Sequence, residues 1–560
     1  MVNSSVVRSD QANSDRPTTI LWRFAPQGRD ERVQGANRLN GIGQVLWRAF
    51  STLWLMSLFA CGSEPLNSMR RSDPPVSETQ PASGFKGVVR WSPCTSDPTD
   101  VAECAQLMAP YHWQNPGAQP TLQIAAKRIR ATNPSGRMLW LLAGGPGISG
   151  TLSFDLLMRQ LSTLLPGTDV YTVDARGSGS SQYLSCPTEE DTSSPGGSDI
   201  TPAEVSNCVL SIERVWGDDL SGFSLTESTH DVAAFISATR TSEEVSLWGQ
   251  SSGTVWAQQV AERYPELIQR MILEAIVPGG FSAKVEDQAA EAAFDRVLAL
   301  CGSSVACSAR VPDPRALAAR VWQGLDSGRC AAFKYDTLSV QIAIYKMLAL
   351  YPLYAGIPAL LSHIDRCGTK DVETATAFME LVADGASTPY FSQVTFDLVT
   401  ASELWHSDEF DSEAAYREYL ATLYQSSLLG AGSGGDSFSR VEELWPVYDS
   451  ELMPLRGAFE IPTLALHGGL DPRIPNAEAD RAEGAYTNPL SWIANFPYAS
   501  HLLIGVTPTS DGSGDCAFHL MHDFVMGSPL SNCIDSSAPP NFVGTDWAPT
   551  LFGTNNYWDN

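Results

Sequence analysis

Short apolar runs alternate with helix-like stretches between residues 120 and 280 of this 560-residue chain. Val88–Trp91 and Leu122–Ile129 read as early strands. Met138–Leu142, Asp169–Val173, Val245–Trp248 and Arg270–Leu273 are four further short apolar runs, each ending where glycine or polar residues begin. Pro462–Leu466 and Ser491–Phe496 repeat the pattern near the C-terminus. Helical spacing separates them. Thr226–Thr239 places Val232, Phe235 and Ile236 on one face, and Thr254–Tyr264 carries Val255, Ala257, Val260 and Ala261 before Pro265 stops it. Strands alternating with helices predict a mostly parallel sheet covered on both faces.

Between about 281 and 445 the strand signal vanishes. Ala283–Leu300, Ser339–Tyr351, Asp371–Asp384 and Ser412–Gln425 read as helices, and Gly430–Asp436 as a flexible loop near the end of this segment. The pattern divides the chain into core residues 85–280, a helical cap at 281–445 and a second core part at 446–560. The length, large for one compact domain, fits a domain with such an insertion.

The first 84 residues have a different character. Ala49–Ala60 is a twelve-residue stretch without charge behind Arg48. It is too short to span a bilayer and suits the apolar part of a signal peptide. Leu58-Phe-Ala-Cys61-Gly resembles a bacterial lipobox, which makes Cys61 a lipidation candidate and 1–61 a targeting segment. Residues 62–84, rich in Pro, Ser, Asp and Glu, read as a tether to the membrane. The expected location is therefore outside the cytoplasm, as a cell-envelope lipoprotein or a secreted protein.

Cysteine usage adds to this. Of 11 cysteines, ten follow Cys61, an even set suited to disulfides. Sequence neighbours suggest 94 with 104, 186 with 208, 301 with 307, 330 with 367 and 516 with 533, though spacing alone does not prove connectivity. No cysteine or histidine cluster has zinc-site spacing, so no metal is expected. The net charge is −27. The first 61 residues hold seven Lys/Arg against four Asp/Glu, so the acidic excess lies entirely in the rest. Such a surface repels nucleic acid.

Candidate chemistry starts at Gly249-Gln-Ser251-Ser-Gly253, a G-x-S-x-G pattern that follows an apolar strand and opens a helix. That context is the nucleophile elbow, with Ser251 exposed at the sheet's C-terminal edge. Serine needs a general base, and the base needs an orienting acid. In this fold the order along the chain is Ser, acid, His. Four of the eight histidines follow the cap: His467, His501, His519 and His522. Asp471 follows a predicted strand in His467-Gly-Gly-Leu-Asp471, and His501 follows the next one, so these two complete a triad with Ser251. His467 is expected to pack near its strand end, and His519 and His522 to lie on a terminal helix. Oxyanion donors are expected from the Ser252 N–H and from Ala143-Gly-Gly-Pro-Gly147, with the Gly145 N–H favoured and Gly144 next. Trp248 and Glu274 are candidate substrate contacts. Asp174-Ala-Arg176-Gly-Ser-Gly-Ser-Ser181 lacks phosphate-loop or dinucleotide spacing and reads as a tight turn with Asp174 and Arg176 paired.

Gly-Gly-Pro-Gly at 144–147, Asp-x-Arg-Gly-x-Gly-x-Ser at 174–181 and the elbow at 249–253 stand in an order that resembles the proline iminopeptidase and tripeptidyl aminopeptidase family of α/β-hydrolases. The secreted tripeptidyl-aminopeptidase-like branch is the nearer likeness, given the Trp91…Cys94…Cys104 segment and the late pair Cys516 and Cys533. The resemblance spans roughly 88–280 and 450–535. It implies release of residues or short peptides from free N-termini, without metal or organic cofactor. It also implies acidic residues near the cap that read the substrate amine, for which Glu274, Glu286 and Asp287 are candidates. Two positions depart from the family: Ala143 stands where histidine is frequent, and Ser252 where an aromatic is common. Both bear on substrate choice. Two other readings stay open: an esterase or lipase-type acyl hydrolase with the same triad, and a non-catalytic binding protein on this scaffold. Either enzyme reading leaves a peptide or small acyl group as the substrate.

Overall fold

Apolar runs of four to six residues bury both faces when helices cover them on either side. Six such runs make the parallel part of one nine-stranded sheet. The structure is a computed structural model that describes residues 89–559 except 96–100, 118–119, 198, 384–389, 406–409, 436–437, 439–442, 450–458, 513 and 531. The targeting segment, Cys61 and the 62–84 tether lie outside the described residues.

The strands are β1 (Ser92–Pro93), β2 (Ala102–Pro110), β3 (Thr121–Ile129), β4 (Arg137–Leu142), β5 (Thr168–Val173), β6 (Glu244–Gln250), β7 (Arg270–Glu274), β8 (Thr463–Gly468) and β9 (Trp492–Phe496). Their spatial order is 1-2-3-5-4-6-7-8-9. Strands β1 to β3 pair antiparallel, and β3 joins β5 antiparallel. From β5 across to β9 every pairing is parallel. Of the predicted strand Val88–Trp91, the described residues 89–91 are not a strand; the first short strand lies just after them. The sequence reading also missed β2. Of its inward residues Ala105, Leu107 and Ala109 only the leucine is large, so the alternation that marks a half-buried strand is faint.

Alternation along β4 shows how the core divides. Met138, Trp140 and Leu142 face one apolar cluster, and Leu139 and Leu141 face the other. Helices α1 (Asp155–Leu164), α2 (Pro202–Trp216), α3 (Leu225–Thr239) and α4 (Ser252–Arg263) connect the strands of the first core part. Helix α3 begins where the Ser224 side chain accepts the Glu227 N–H, a side-chain N-cap.

Between β7 and β8 the chain is helical: α5 (Glu286–Ser303), α6 (Pro314–Asp326), α7 (Thr337–Leu348), α8 (Ile357–Arg366), α9 (Thr369–Ala383), α10 (Gln393–Val399) with a π turn at Thr400–Leu404, and α11 (Glu413–Ser426). Helices α6, α8 and α10 are not among those the sequence pattern predicts. These helices build their own apolar cluster, which also takes in Leu470, Phe542, Trp547 and Tyr557 from the last part of the chain. Helices α12 (Asn476–Ala482) and α13 (Cys516–Met526) complete the second core part.

Five disulfides are present: Cys94–Cys104, Cys186–Cys208, Cys301–Cys307, Cys330–Cys367 and Cys516–Cys533. They fit a chain that folds outside a reducing compartment. No helix among the described residues is long and apolar enough to cross a membrane.

Candidate active site

Residues flanking a strained turn must be small when a helix packs directly against the strand that feeds it. A Cβ on Gly249 would lie 2.3 Å from the Gly253 carbonyl oxygen, and one on Gly253 would lie 2.3 Å from the Leu142 carbonyl oxygen. Between them Ser251 has φ 54° and ψ −127°, outside the regions a non-glycine residue normally occupies. That backbone strain turns the side chain out at the junction of β6 and α4, and strain of this kind gathers at functional sites.

His501 and Asp471 reach the serine from the loops after β9 and β8. His501 Nε2 lies 2.9 Å from Ser251 Oγ. His501 Nδ1 lies 2.9 Å from Asp471 Oδ2 and 3.0 Å from Oδ1. Asp471 Oδ1 also accepts the N–H groups of Arg473 at 2.8 Å and Ile474 at 3.1 Å. Burial pushes the Asp471 carboxyl up, but the adjacent His501 and these donors outweigh it and hold the group below its ordinary range. An anionic Asp471 requires the proton on His501 Nδ1, which leaves Nε2 free to accept from Ser251. Ser251 is half-buried, whereas His501 and Asp471 are buried.

The glycine loop after β4 sits against the serine. A Cβ on Gly144 would lie 2.9 Å from Ser251 Cβ, so this backbone runs in contact with the elbow. The Gly145 N–H is the next amide along. Ser252 opens α4, where an N–H has no intrahelical acceptor.

One further histidine neighbours the triad without joining its hydrogen bonds: His467 interacts electrostatically with both Asp471 and His501. His467 is enclosed on β8, where burial lowers its pKa. His519 and His522 lie on α13, and His522 pairs with Asp523 at 3.1 Å.

Three expectations need correction. Glu274 does not face substrate: it is fully enclosed, with its carboxylate engaged by four N–H donors from the protein itself. Trp248 is likewise buried and donates its indole N–H to Glu274 at 3.0 Å. Asp174 and Arg176 do not pair with each other. Asp174 turns toward the glycine loop, accepting from Ser149 Oγ at 2.9 Å, Thr151 N–H at 2.8 Å and Ser180 N–H at 2.7 Å. Arg176 turns the other way and makes a two-pronged contact with Asp231 on α3 at 2.7 and 2.9 Å. Each takes its partner from a distant segment, which the tight-turn reading could not see.

Two features of the site carried no sequence signal. The cap segment 390–396 is stitched onto both glycine loops: the Ser149 N–H donates to the Tyr390 carbonyl at 2.8 Å, the Ser392 N–H to Gly147 at 3.0 Å, and Thr395 Oγ1 to Gly177 at 2.8 Å. Arg473, two residues past Asp471, bridges to Glu286 on α5 at 3.2 Å. Glu286 also accepts from the Tyr345 hydroxyl, and Asp287 from the Tyr424 hydroxyl at 2.7 Å.

The family described as alpha/beta hydrolase fold matches residues 139–303, which run from β4 through the elbow into the cap. The chain has the α/β-hydrolase fold. Among solved structures, this hydrolase is similar to a serine hydrolase from the polyaromatic-hydrocarbon-degrading bacterium Cycloclasticus zankles, at 13% identity over 76% of this chain and 98% of that one, with a TM-score of 0.32. It is similar to a thermophilic esterase from Thermogutta terrifontis at 14% identity over 72% and 93% of the two chains, with a TM-score of 0.30. It is also similar to a proline iminopeptidase from Mycobacterium smegmatis at 16% identity over 71% and 91%, again with a TM-score of 0.30. The names of these three differ in activity, and none supplies a reaction for this chain. No curated protein matches it.

Proposed function

We propose that this α/β-hydrolase is an extracytoplasmic serine aminopeptidase that releases residues or short peptides from free N-termini through an acyl-enzyme. The observation that carries the serine chemistry is the unbroken contact from Ser251 Oγ to His501 to Asp471 on a strained elbow. In the first step His501 Nε2 takes the Ser251 proton as Oγ attacks the substrate carbonyl. The oxyanion forms against the N–H groups of Gly145 and Ser252. His501 then gives that proton to the leaving amine, and the acyl-enzyme remains. A water, deprotonated by the same His501, attacks the acyl carbon and frees Ser251.

Substrate class rests on the Gly-Gly-Pro-Gly and Asp-x-Arg-Gly-x-Gly-x-Ser motifs and on acidic residues at the start of the cap. Glu286 and Asp287 begin α5, and Arg473 links Glu286 to the loop that holds Asp471. Carboxylates there suit a substrate ammonium group. Burial raises Glu286 to about 7, with Arg473 pulling it down and Asp287 and Asp471 pushing it further up. Amine recognition through Glu286 would therefore strengthen as pH rises through neutrality.

The test compares aminoacyl and tripeptidyl chromogenic amides with short acyl esters, each with the amine free and blocked. Free-amine amides should turn over and N-blocked ones should not. Turnover of esters alone, or indifference to the block, moves the assignment to an acyl hydrolase. Ser251→Ala should lower kcat by about 10⁴-fold or more. Unchanged turnover in that variant would show that Ser251 is not the nucleophile, and absence of turnover in the parent on every substrate would favour a binding protein on this scaffold. For location, fractionation of cells making the full chain should place it in the envelope, with release on Cys61→Ala if the anchor is a lipid there.

A further inference from the structure

Glu274 ends β7 beside the elbow, fully enclosed, and the groups that hold its carboxylate are neutral N–H donors rather than cations. Burying a carboxylate is costly unless hydrogen bonds replace its water. Here four N–H groups do so. Oε2 accepts from Trp248 Nε1 at 3.0 Å and from Gln250 Nε2 at 2.7 Å. Oε1 accepts from the Leu503 N–H at 2.8 Å and the Ile504 N–H at 2.7 Å. The Glu274 backbone adds a fifth tie, its carbonyl accepting the Ser251 N–H at 2.9 Å.

The partners fall into two groups with a meaning for catalysis. Trp248 and Gln250 belong to β6, and Gln250 immediately precedes Ser251. Leu503 and Ile504 begin the turn just past His501. One side chain therefore grips the strand that presents the serine and the loop that presents the histidine. These two segments are 250 residues apart along the chain, and their relative placement sets the 2.9 Å contact between Nε2 and Oγ. All four side-chain contacts come from donors. A carboxylate accepts all four, whereas protonation would set a hydrogen against the donors at one oxygen and an amide would set its NH₂ against the two at one position. Burial nonetheless pushes the Glu274 carboxyl up, against the pull of the donors.

We propose that Glu274 is a positioning residue for the reaction, a buried anionic clamp that fixes the His501 loop against the Ser251 elbow. This rests on the serine-hydrolase reading above, and on no choice of substrate. A shift of a fraction of an ångström between serine and histidine lowers the chemical step and leaves substrate binding intact.

The test uses the full chain with Glu274→Gln, an isosteric change that turns an NH₂ toward two donors. Three quantities are read: kcat, KM, and the rate at which a fluorophosphonate labels Ser251, which needs no knowledge of the substrate. The expected result is a fall in kcat of about 10- to 100-fold, KM within about twofold, and a fall in labelling rate of similar size. A kcat within about twofold of the parent overturns the proposal, as does a raised KM with unchanged kcat, which would mark Glu274 as a substrate contact. If Glu274→Gln does not fold, Gln250→Met takes its place. It removes one of the four donors and leaves the charge and the histidine side intact. It should lower kcat about 3- to 10-fold at constant KM, and an unchanged kcat there again overturns the proposal. Ser251→Ala separates the two readings. Loss of activity and labelling in Ser251→Ala beside full activity in Glu274→Gln sinks the clamp alone; activity retained in Ser251→Ala sinks the serine-hydrolase reading.

Discussion

A carboxylate enclosed without a cation makes stability depend on pH, and this protein holds one in its cap. Asp397 on α10 is buried, and its Oδ2 has no hydrogen-bond partner among the described residues. Burial raises it to about 8, the Gln393 side chain pulls it down, and Glu190 pushes it up. A carboxyl raised in the folded state favours folding of the protonated form. Its cost is absent below the unfolded value near 4 and grows as pH climbs toward about 8. Asp397→Asn removes that cost. The variant should melt at least about 2 °C above the parent at pH 8 and level with it at pH 4, read by calorimetry at both values. An equal effect at both would show that the carboxyl does not titrate on unfolding. Nothing around Asp397 in the sequence announces this, because an aspartate on a helix reads as solvent-facing. Glu274 hides for a related reason: its donors come from residues 503 and 504, and only the closed fold brings them to the end of β7. Ser251, Asp471 and His501 were legible for the opposite reason. Small residues flank the elbow by steric necessity, and each of the other two follows a short apolar run.

At the scale of elements, the glycine loop after β4 is held from three sides. Asp174 anchors it from β5's end, the elbow packs on Gly144, and the cap segment 390–396 lies across Gly147. Gly147 has φ 89°, and a Cβ there would lie 2.5 Å from the Ser392 carbonyl oxygen. Gly147→Ala must therefore strain the loop or push the cap segment away. In either case the amides that face the oxyanion move. The expected outcome is a kcat lower by about 10²-fold, the size seen when one oxyanion donor is lost, with cooperative melting retained. Full activity in this variant would free the loop geometry from the cap contact. The loop's glycines were visible in the sequence, but their contact with the cap was not. Residues 390–396 carry no motif, and their role comes from two backbone hydrogen bonds and one threonine hydroxyl whose partners lie some 200 residues earlier in the chain. Most of the parallel strands are legible because both faces are buried and their runs are continuous; β2 is not, because Leu107 is its one large inward residue between two alanines.

The sheet has an apolar interior on each face and the cap has one of its own, and the last part of the chain joins sheet to cap. After α13 the chain leaves the sheet and runs under the cap helices, where Phe542, Trp547, Ala548 and Tyr557 enter the cap cluster. The Tyr557 carbonyl lies 3.0 Å from His363 Nε2 on α8, and Trp558 Nε1 donates to the Phe542 carbonyl at 2.8 Å, which folds the tail on itself. Trp547 packs edge-on to Tyr351 at 6.4 Å between centroids, and the Tyr354 hydroxyl reaches the Tyr498 carbonyl at 2.7 Å, three residues before His501. The tail thus supports the same part of the cap that touches the histidine loop. Trp547 is 5% exposed, and replacing it with alanine opens a cavity in the cap core. Trp547→Ala should cost about 3–5 kcal/mol of stability, the range for deleting a buried tryptophan. Because the sheet carries its own core, limited proteolysis should cut first in the cap at 281–445, while the elbow fragment stays protected. Simultaneous loss of both parts would mean that sheet and cap unfold as one unit, with the tail fastening them rather than supporting the cap alone.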